Sequence, residues 1–394
     1  MANLGPPATG NAVGEGVPDG GGATARGPGA AEGGALAAGA ALAAGVPEVV
    51  EWVLGAGVHA ANAQATSRTG ETGESPWGSM VLRAGSELAQ MTPLDQRRFL
   101  FVTGKGGVGK STVTAALAVA LAARGKRVLV TACDAKERIS LLLGSDPLTP
   151  EVAELRERLW AVKLMPQVAL REYGGMVLKS EIVFGAVFDN KYVRQFFAGV
   201  PGLHEWAMLG KAWFHSIEET SAGRPRFDVV IFDAPATGHG LDMLRVPKVI
   251  VDVVPPGVLR RDAERAWTMF QDPVKSGVVV VTLPEDMPTN ETIELYDALQ
   301  NELSLPIAAL VVNGVIDEVF DEVERSRLLS DLALDRTQNG DEAIACGIRR
   351  SIRERIQAQS LSRLRALGGA RVELPLLRKD AATPEAIAEL SARF

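Results

Sequence analysis

The residues of this chain best suited to chemistry sit together in Gly104-Lys105-Gly106-Gly107-Val108-Gly109-Lys110-Ser111-Thr112. The Gly-x4-Gly-Lys-Ser spacing suits a phosphate chain, because glycines let the backbone curl around an anion and turn its N–H groups inward, and a helix that follows adds the positive end of its dipole. In such a loop Lys110 reaches the β- and γ-phosphates and the Ser111 hydroxyl holds Mg²⁺. Asp233 closes the apolar run Val229-Val230-Ile231-Phe232, where a carboxylate orients the Mg²⁺ shell through water. The expected ligands are therefore a nucleoside triphosphate and Mg²⁺. The same glycines also read Gly104-x-Gly106-x-x-Gly109, and Asp134 follows the second apolar run, which is the pattern of a dinucleotide-binding unit. Three features favour the triphosphate: Lys110-Ser111 has no task in the dinucleotide motif, a second lysine stands at Lys105, and a later strand ends in Asp233.

These groups need strands that end where they begin. Short β-branched runs at 99–103, 127–131, 228–233, 277–283 and 308–314 alternate with helical patterns at 110–124, 290–303, 341–367 and 384–393. Continuous apolar strands alternating with helices predict an α/β fold, with a mostly parallel, doubly wound sheet covered on both faces. The block 150–222 departs from this rhythm and carries ten of the chain's 21 aromatic residues, so it reads as a helical insert in a domain spanning 93–394. Within 341–367, Ile344, Ile348, Ile352 and Ile356 form an apolar stripe beside Arg349, Arg350, Arg353, Arg355, Arg363 and Arg365, predicting a helix that packs by its isoleucines and solvates its arginines.

Residues 1–92 are different in kind. Of the first 50 residues, 27 are Gly or Ala, which raise the entropy cost of order while offering little area to bury, so this stretch reads as a disordered low-complexity tail. Its apolar part, 35–65, is broken by Pro47, Glu48 and Glu51 and predicts no stable membrane span. A net charge of −7 with no long basic tract argues against nucleic acid as a partner. Two cysteines, Cys133 and Cys346, make neither a disulfide framework nor a Cys-x-x-Cys zinc site, and a cytoplasmic setting is expected.

The loop with its extra Lys105, taken with Asp233-Ala234-Pro235-Ala236-Thr237-Gly238-His239, resembles the arsenite-pump (ArsA) ATPase family, which includes the ATPase that targets tail-anchored membrane proteins. The family belongs to the deviant Walker A (SIMIBI) class of phosphate-loop proteins, with MinD and ParA, and the resemblance runs from about Arg97 to the C-terminus. It implies ATP hydrolysis within a homodimer, or a heterodimer with a paralogue, in which Lys105 reaches the other subunit's nucleotide. It further implies that Asp134 positions the attacking water as the first switch, and that Asp233, Pro235, Thr237, Gly238 and His239 form the second. By the same resemblance Asn313 reads adenine, Pro375 and Leu376 lie beside the base, and the insert offers a surface for a hydrophobic client. The sequence departs from the family in the charged loop Asp134-Ala135-Lys136-Glu137-Arg138, and it lacks the family's paired zinc and clustered metalloid-binding cysteines. A non-hydrolysing nucleotide-binding adaptor and a MinD/ParA-like positioning ATPase are the alternative readings.

Overall fold

The computed structural model describes residues 92–133, 137–178, 202–235, 239–330, 339–378 and 380–394. The expected tail, Asp134, Thr237 and Gly238 lie outside the described residues, as does the side chain of His239.

Eight strands form one sheet in the order β3-β4-β2-β5-β1-β6-β7-β8. They are β1 (Phe99–Thr103), β2 (Val128–Ala132), β3 (Ala153–Arg156), β4 (Leu159–Lys163), β5 (Val229–Asp233), β6 (Ser276–Thr282), β7 (Ile307–Val315) and β8 (Arg371–Pro375). All neighbouring pairs are parallel except β3 with β4, which is antiparallel at the sheet's edge. Every residue of β1, β2, β5 and β6 is buried, as expected of strands covered on both faces.

Side chains alternate across β1 and so serve two cores. Leu100 and Val102 join the core under α1 (Lys110–Ala123) and the C-terminal α10 (Pro384–Ser391). Phe99 and Phe101 point the other way, where Phe232 stacks on Phe101 with centroids 4.9 Å apart and Phe270 of α6 (Val258–Gln271) lies 4.9 Å from Phe99. Helix α1 is buried almost all round and stops in a Schellman turn: Gly125, at φ 84°, donates to Ala122 O and Lys126 to Leu121 O. Helix α10 starts at Pro384 with Thr383 accepting from the Ala386 N–H, which fixes Ile387 and Leu390 against α1.

Besides a 3₁₀ turn at Leu94–Gln96, the remaining described helices are α2 (Ile139–Leu143), α3 (Pro166–Leu178), α4 (Leu203–Ile217), α5 (His239–Val253), α7 (Asp286–Asp297, continued by a π turn Ala298–Glu302), α8 (Glu322–Ser330) and α9 (Asn339–Arg365). No helix among the described residues is long and apolar enough to cross a membrane.

Two expectations need correction. The block 150–222 is not helical from its start, because β3 and β4 occupy its first residues and extend the main sheet. The Glu/Leu/Arg-rich segment before Trp160 has good helix formers, but pairing of Leu159–Lys163 with β2 buries Leu159, Ala161 and Val162, and tertiary contact overrides local propensity. The hairpin turns at Arg158, which takes φ 62°. In α9 the isoleucine stripe is not the buried face, since Ile344 is 39% exposed. The buried positions are Ile348, Ser351, Glu354, Gln357, Ser360, Leu361 and Leu364, and the polar ones among them include the partners of a neighbouring loop's backbone. The arginines at 349, 353, 355, 363 and 365 are exposed as expected.

Candidate functional site

The glycine loop leaves the C-terminal end of β1, the central strand, and enters α1. Gly104, at φ 148°, lies so close to β6 that a Cβ there would come within 2.2 Å of the Val281 carbonyl oxygen. At Gly109 (φ 91°) a Cβ would fall 2.3 Å from Asn313 Nδ2. The cradle is thus set by contacts with β6 and β7 as well as by the loop's own sequence. Lys110 is buried, and its ammonium donates to the carbonyls of Gly104 (3.0 Å) and Lys105 (2.9 Å), placing the charge inside the curl of the loop. Gly106 and Gly107 are exposed, at the open side.

These contacts give a graded expectation. Gly104→Ala should fail because β6 backbone cannot yield, whereas at Gly107 nothing lies within 4 Å and alanine pays only for its left-handed φ, on the order of 1–2 kcal/mol. Urea unfolding and nucleotide titration of both variants check this; equal losses at the two positions would refute the steric account.

Asp233 ends β5 level with Val102 of β1 and Ala132 of β2, at the foot of the loop. It is almost wholly buried, with Ser111 Oγ donating to Oδ2 at 2.8 Å and Thr114 Oγ1 to Oδ1 at 3.0 Å. The predicted pair Ser111 and Asp233 therefore meets directly, and its hard oxygen donors suit Mg²⁺. Thr114 was not singled out by the motif. Its only sequence signal is a hydroxyl three residues past Ser111, on the same helix face, in the apolar run Val113 to Leu117. Thr114→Val should cost about 1.5–3 kcal/mol of stability, the usual loss for a hydrogen bond to a charged group, and should weaken the Mg²⁺ dependence of nucleotide affinity. Thr114→Ser should restore both, and a valine variant with wild-type Mg²⁺ response would show that Thr114 is mere packing.

The expected base-side residues also converge. Asn313 Nδ2 donates to Val108 O at 2.9 Å, so the side chain predicted to read adenine braces the phosphate loop. Gly314 follows at φ 74°, flanked by Leu283 and Leu376. Pro375 of β8 pairs with Val315, Leu376 N–H donates to Val315 O at 2.7 Å, and the Leu376 side chain is 47% exposed beside this edge.

Behind it, α9 holds the segment after β7. Gln357 exchanges two 2.8 Å hydrogen bonds with the backbone of Ile316. Glu354, almost wholly buried, accepts from the N–H groups of Val319 (2.9 Å) and Phe320 (3.3 Å) and from Arg350 Nε (2.8 Å). Burial pushes its carboxyl up, but the bonds from Arg350 and the two N–H groups outweigh that and hold it below its ordinary value.

Lys105, the expected lysine of the dimer, pairs with Glu291 of α7. Of the loop after Asp134, Glu137 spends its carboxylate on α2, accepting from Ser140 N–H (3.1 Å) and Ser140 Oγ (2.7 Å) and from Leu148 N–H (3.2 Å). In the segment expected to form the second switch, Ala234 N–H donates to Val102 O and Pro235 is half-buried. There α5 begins close against β1, since a Cβ on Gly240 would lie 2.6 Å from Thr103 Oγ1.

Comparison with known proteins accords with this geometry. Residues 97–255 match the family model described as anion-transporting ATPase. The chain is 30% identical over 234 residues to ATPase BagA of Mycobacterium tuberculosis, covering 58% of this chain and 68% of that protein. It is 25% identical over 286 residues to ATPase GET3C of Arabidopsis thaliana, covering 60% and 72%. Against the arsenical pump-driving ATPase of Acidiphilium multivorum the identity is 28% over 242 residues, covering 57% of this chain and 40% of that protein. With the loop, the buried Ser111–Asp233 pair and the strand order all in place, the chain belongs to the ArsA (anion-transporting) ATPase family.

Proposed function

We propose that this protein hydrolyses ATP to ADP and phosphate in a dimer, and uses the cycle to change its shape for a client. The observation that carries the reading is the Ser111 hydroxyl 2.8 Å from the buried Asp233 carboxylate, one residue from Lys110 inside the loop. Lys110 and the loop N–H groups offset charge on the transferred phosphoryl. Ser111, with Asp233 through water, would hold Mg²⁺, and the ion when bound would supply further charge neutralisation. Asp134 orients the attacking water, and Lys105 serves the nucleotide of the other subunit. Gly104 to Thr112 wrap the phosphates, while Asn313, Pro375 and Leu376 take the base. Residues 233–239, from Asp233 and Pro235 through Thr237 and Gly238 to His239, sense loss of the γ-phosphate and pass it to α5.

On this reading 93–394 is one ATPase module, homodimeric or paired with a paralogue, acting in the cytoplasm. A hydrophobic client would bind at its insert, of which residues 179–201 lie outside the described residues. Sedimentation and phosphate release test the core of it. ATP, but not ADP, should drive dimerisation, and turnover per chain should rise with protein concentration. A chain that stays monomeric with ATP, or that turns over independently of concentration, would sink the dimer mechanism. Dimerisation without turnover would instead favour the non-hydrolysing adaptor, for which the charged residues after Asp134 speak. ATP-dependent recruitment to liposomes or DNA would favour a MinD/ParA-like role. For the client, Asp134→Asn should trap the ATP state, and what co-purifies with it identifies the class bound.

A further inference from the structure

We infer that Glu291 is a positioning residue that parks Lys105 within its own chain, so that the Lys105–Glu291 pair must open before Lys105 can serve a partner's nucleotide. The inference rests on the dimeric reading above. Its ground is a junction that neither the loop motif nor the family comparison assigns: Lys105 Nζ is ion-paired with the Glu291 carboxylate, 186 residues away. Both ends are held. The Lys105 carbonyl accepts from the Lys110 ammonium at 2.9 Å, which fixes the backbone from which the side chain leaves. On α7, Thr289 and Thr292 are buried, and Pro288 O accepts from Thr282 Oγ1 (3.2 Å) and Thr292 Oγ1 (2.7 Å), tying the helix start to β6. The neighbouring Asn290 accepts from Arg363 of α9, so α7 is tied on a second side.

The pair sits at the exposed rim of the site, with side-chain accessibilities of 34% and 40%. A single carboxylate at such a position makes a weak partner, and the more highly charged phosphate chain of ATP competes with it. Glu291 therefore biases the resting state without locking it. An amine held against Glu291 is less available in trans, and release of Glu291 gives the assembled state its own electrostatic requirement. Exposed pairs of this kind shift equilibria by about two- to five-fold.

The test uses the full chain with Glu291→Gln, Glu291→Asp and Lys105→Met. Without nucleotide, acylation of Lys105 by an N-hydroxysuccinimide ester, followed by mass spectrometry, should be about two- to five-fold faster in Glu291→Gln and near wild type in Glu291→Asp, with Lys275 as internal reference. With ATP, Glu291→Gln should lower the protein concentration at half-dimerisation by a similar factor, and this gain should vanish in the Lys105→Met background. Unchanged Lys105 labelling overturns the pair, and a gain that survives Lys105→Met overturns the coupling. A rise in labelling in a protein that ATP never dimerises overturns the dimeric reading and the release step with it, and the labelling distinguishes that result from a failure of the pair.

Discussion

Lys110→Ala is expected to lower ATP-dependent phosphate release by about two to three orders of magnitude, the usual result of removing one preorganised donor from developing phosphoryl charge. The ammonium lies inside the loop on the carbonyls of Gly104 and Lys105, so its removal takes away both the charge and two bonds that curl the loop. Lys110→Met retains most of the side chain's length and should lose turnover equally, which separates charge from packing. Melting temperatures near wild type would show that the sheet survives. Turnover within ten-fold of wild type in both variants would mean that the loop is not where ATP is hydrolysed.

The second large effect is on stability. Glu354→Ala should destabilise the protein by about 1.5–3 kcal/mol, because it removes the buried carboxylate that accepts from Arg350 and from the N–H groups of Val319 and Phe320. Since the carboxyl is held below its ordinary value in the folded chain, its contribution is present above about pH 4.3, the unfolded value, and is lost as pH falls through the folded one. Denaturant unfolding from pH 7 downward should therefore show wild-type stability falling more steeply in acid than that of Glu354→Gln. Parallel curves would refute the assignment. A weakened grip on the segment after β7 should also loosen Asn313 on Val108, so ATP affinity should fall in Glu354→Ala even where the protein remains folded.

These two expectations draw on different sources. Lys110 was legible in the sequence because phosphate loops are local: nine consecutive residues contain the glycines, the lysine and the hydroxyl. The five strands at 99–103, 127–131, 228–233, 277–283 and 308–314 were legible for a similar reason, since full burial demands unbroken apolar runs. Glu354 was hidden inside an arginine-rich helix whose isoleucine spacing pointed to another face. Nothing local marks a glutamate as the partner of backbone groups 34 and 35 residues earlier. The hairpin β3–β4 was hidden too, because its residues favour a helix until β2 offers them an edge.

Sequence alone determined the phosphate loop, the carboxylate ending a strand, the parallel α/β architecture and the resemblance to one ATPase family. Each is written in contiguous residues or in a periodicity a few residues long. The tertiary structure decided which groups meet: Thr114 joining Ser111 on Asp233, Asn313 bracing Val108, Glu291 holding Lys105, and β6 leaving no room for a side chain at Gly104. Those contacts join parts of the chain more than a hundred residues apart because strands distant in sequence lie side by side in the order 5-1-6-7, which brings their C-terminal ends, and every group named here, to one rim.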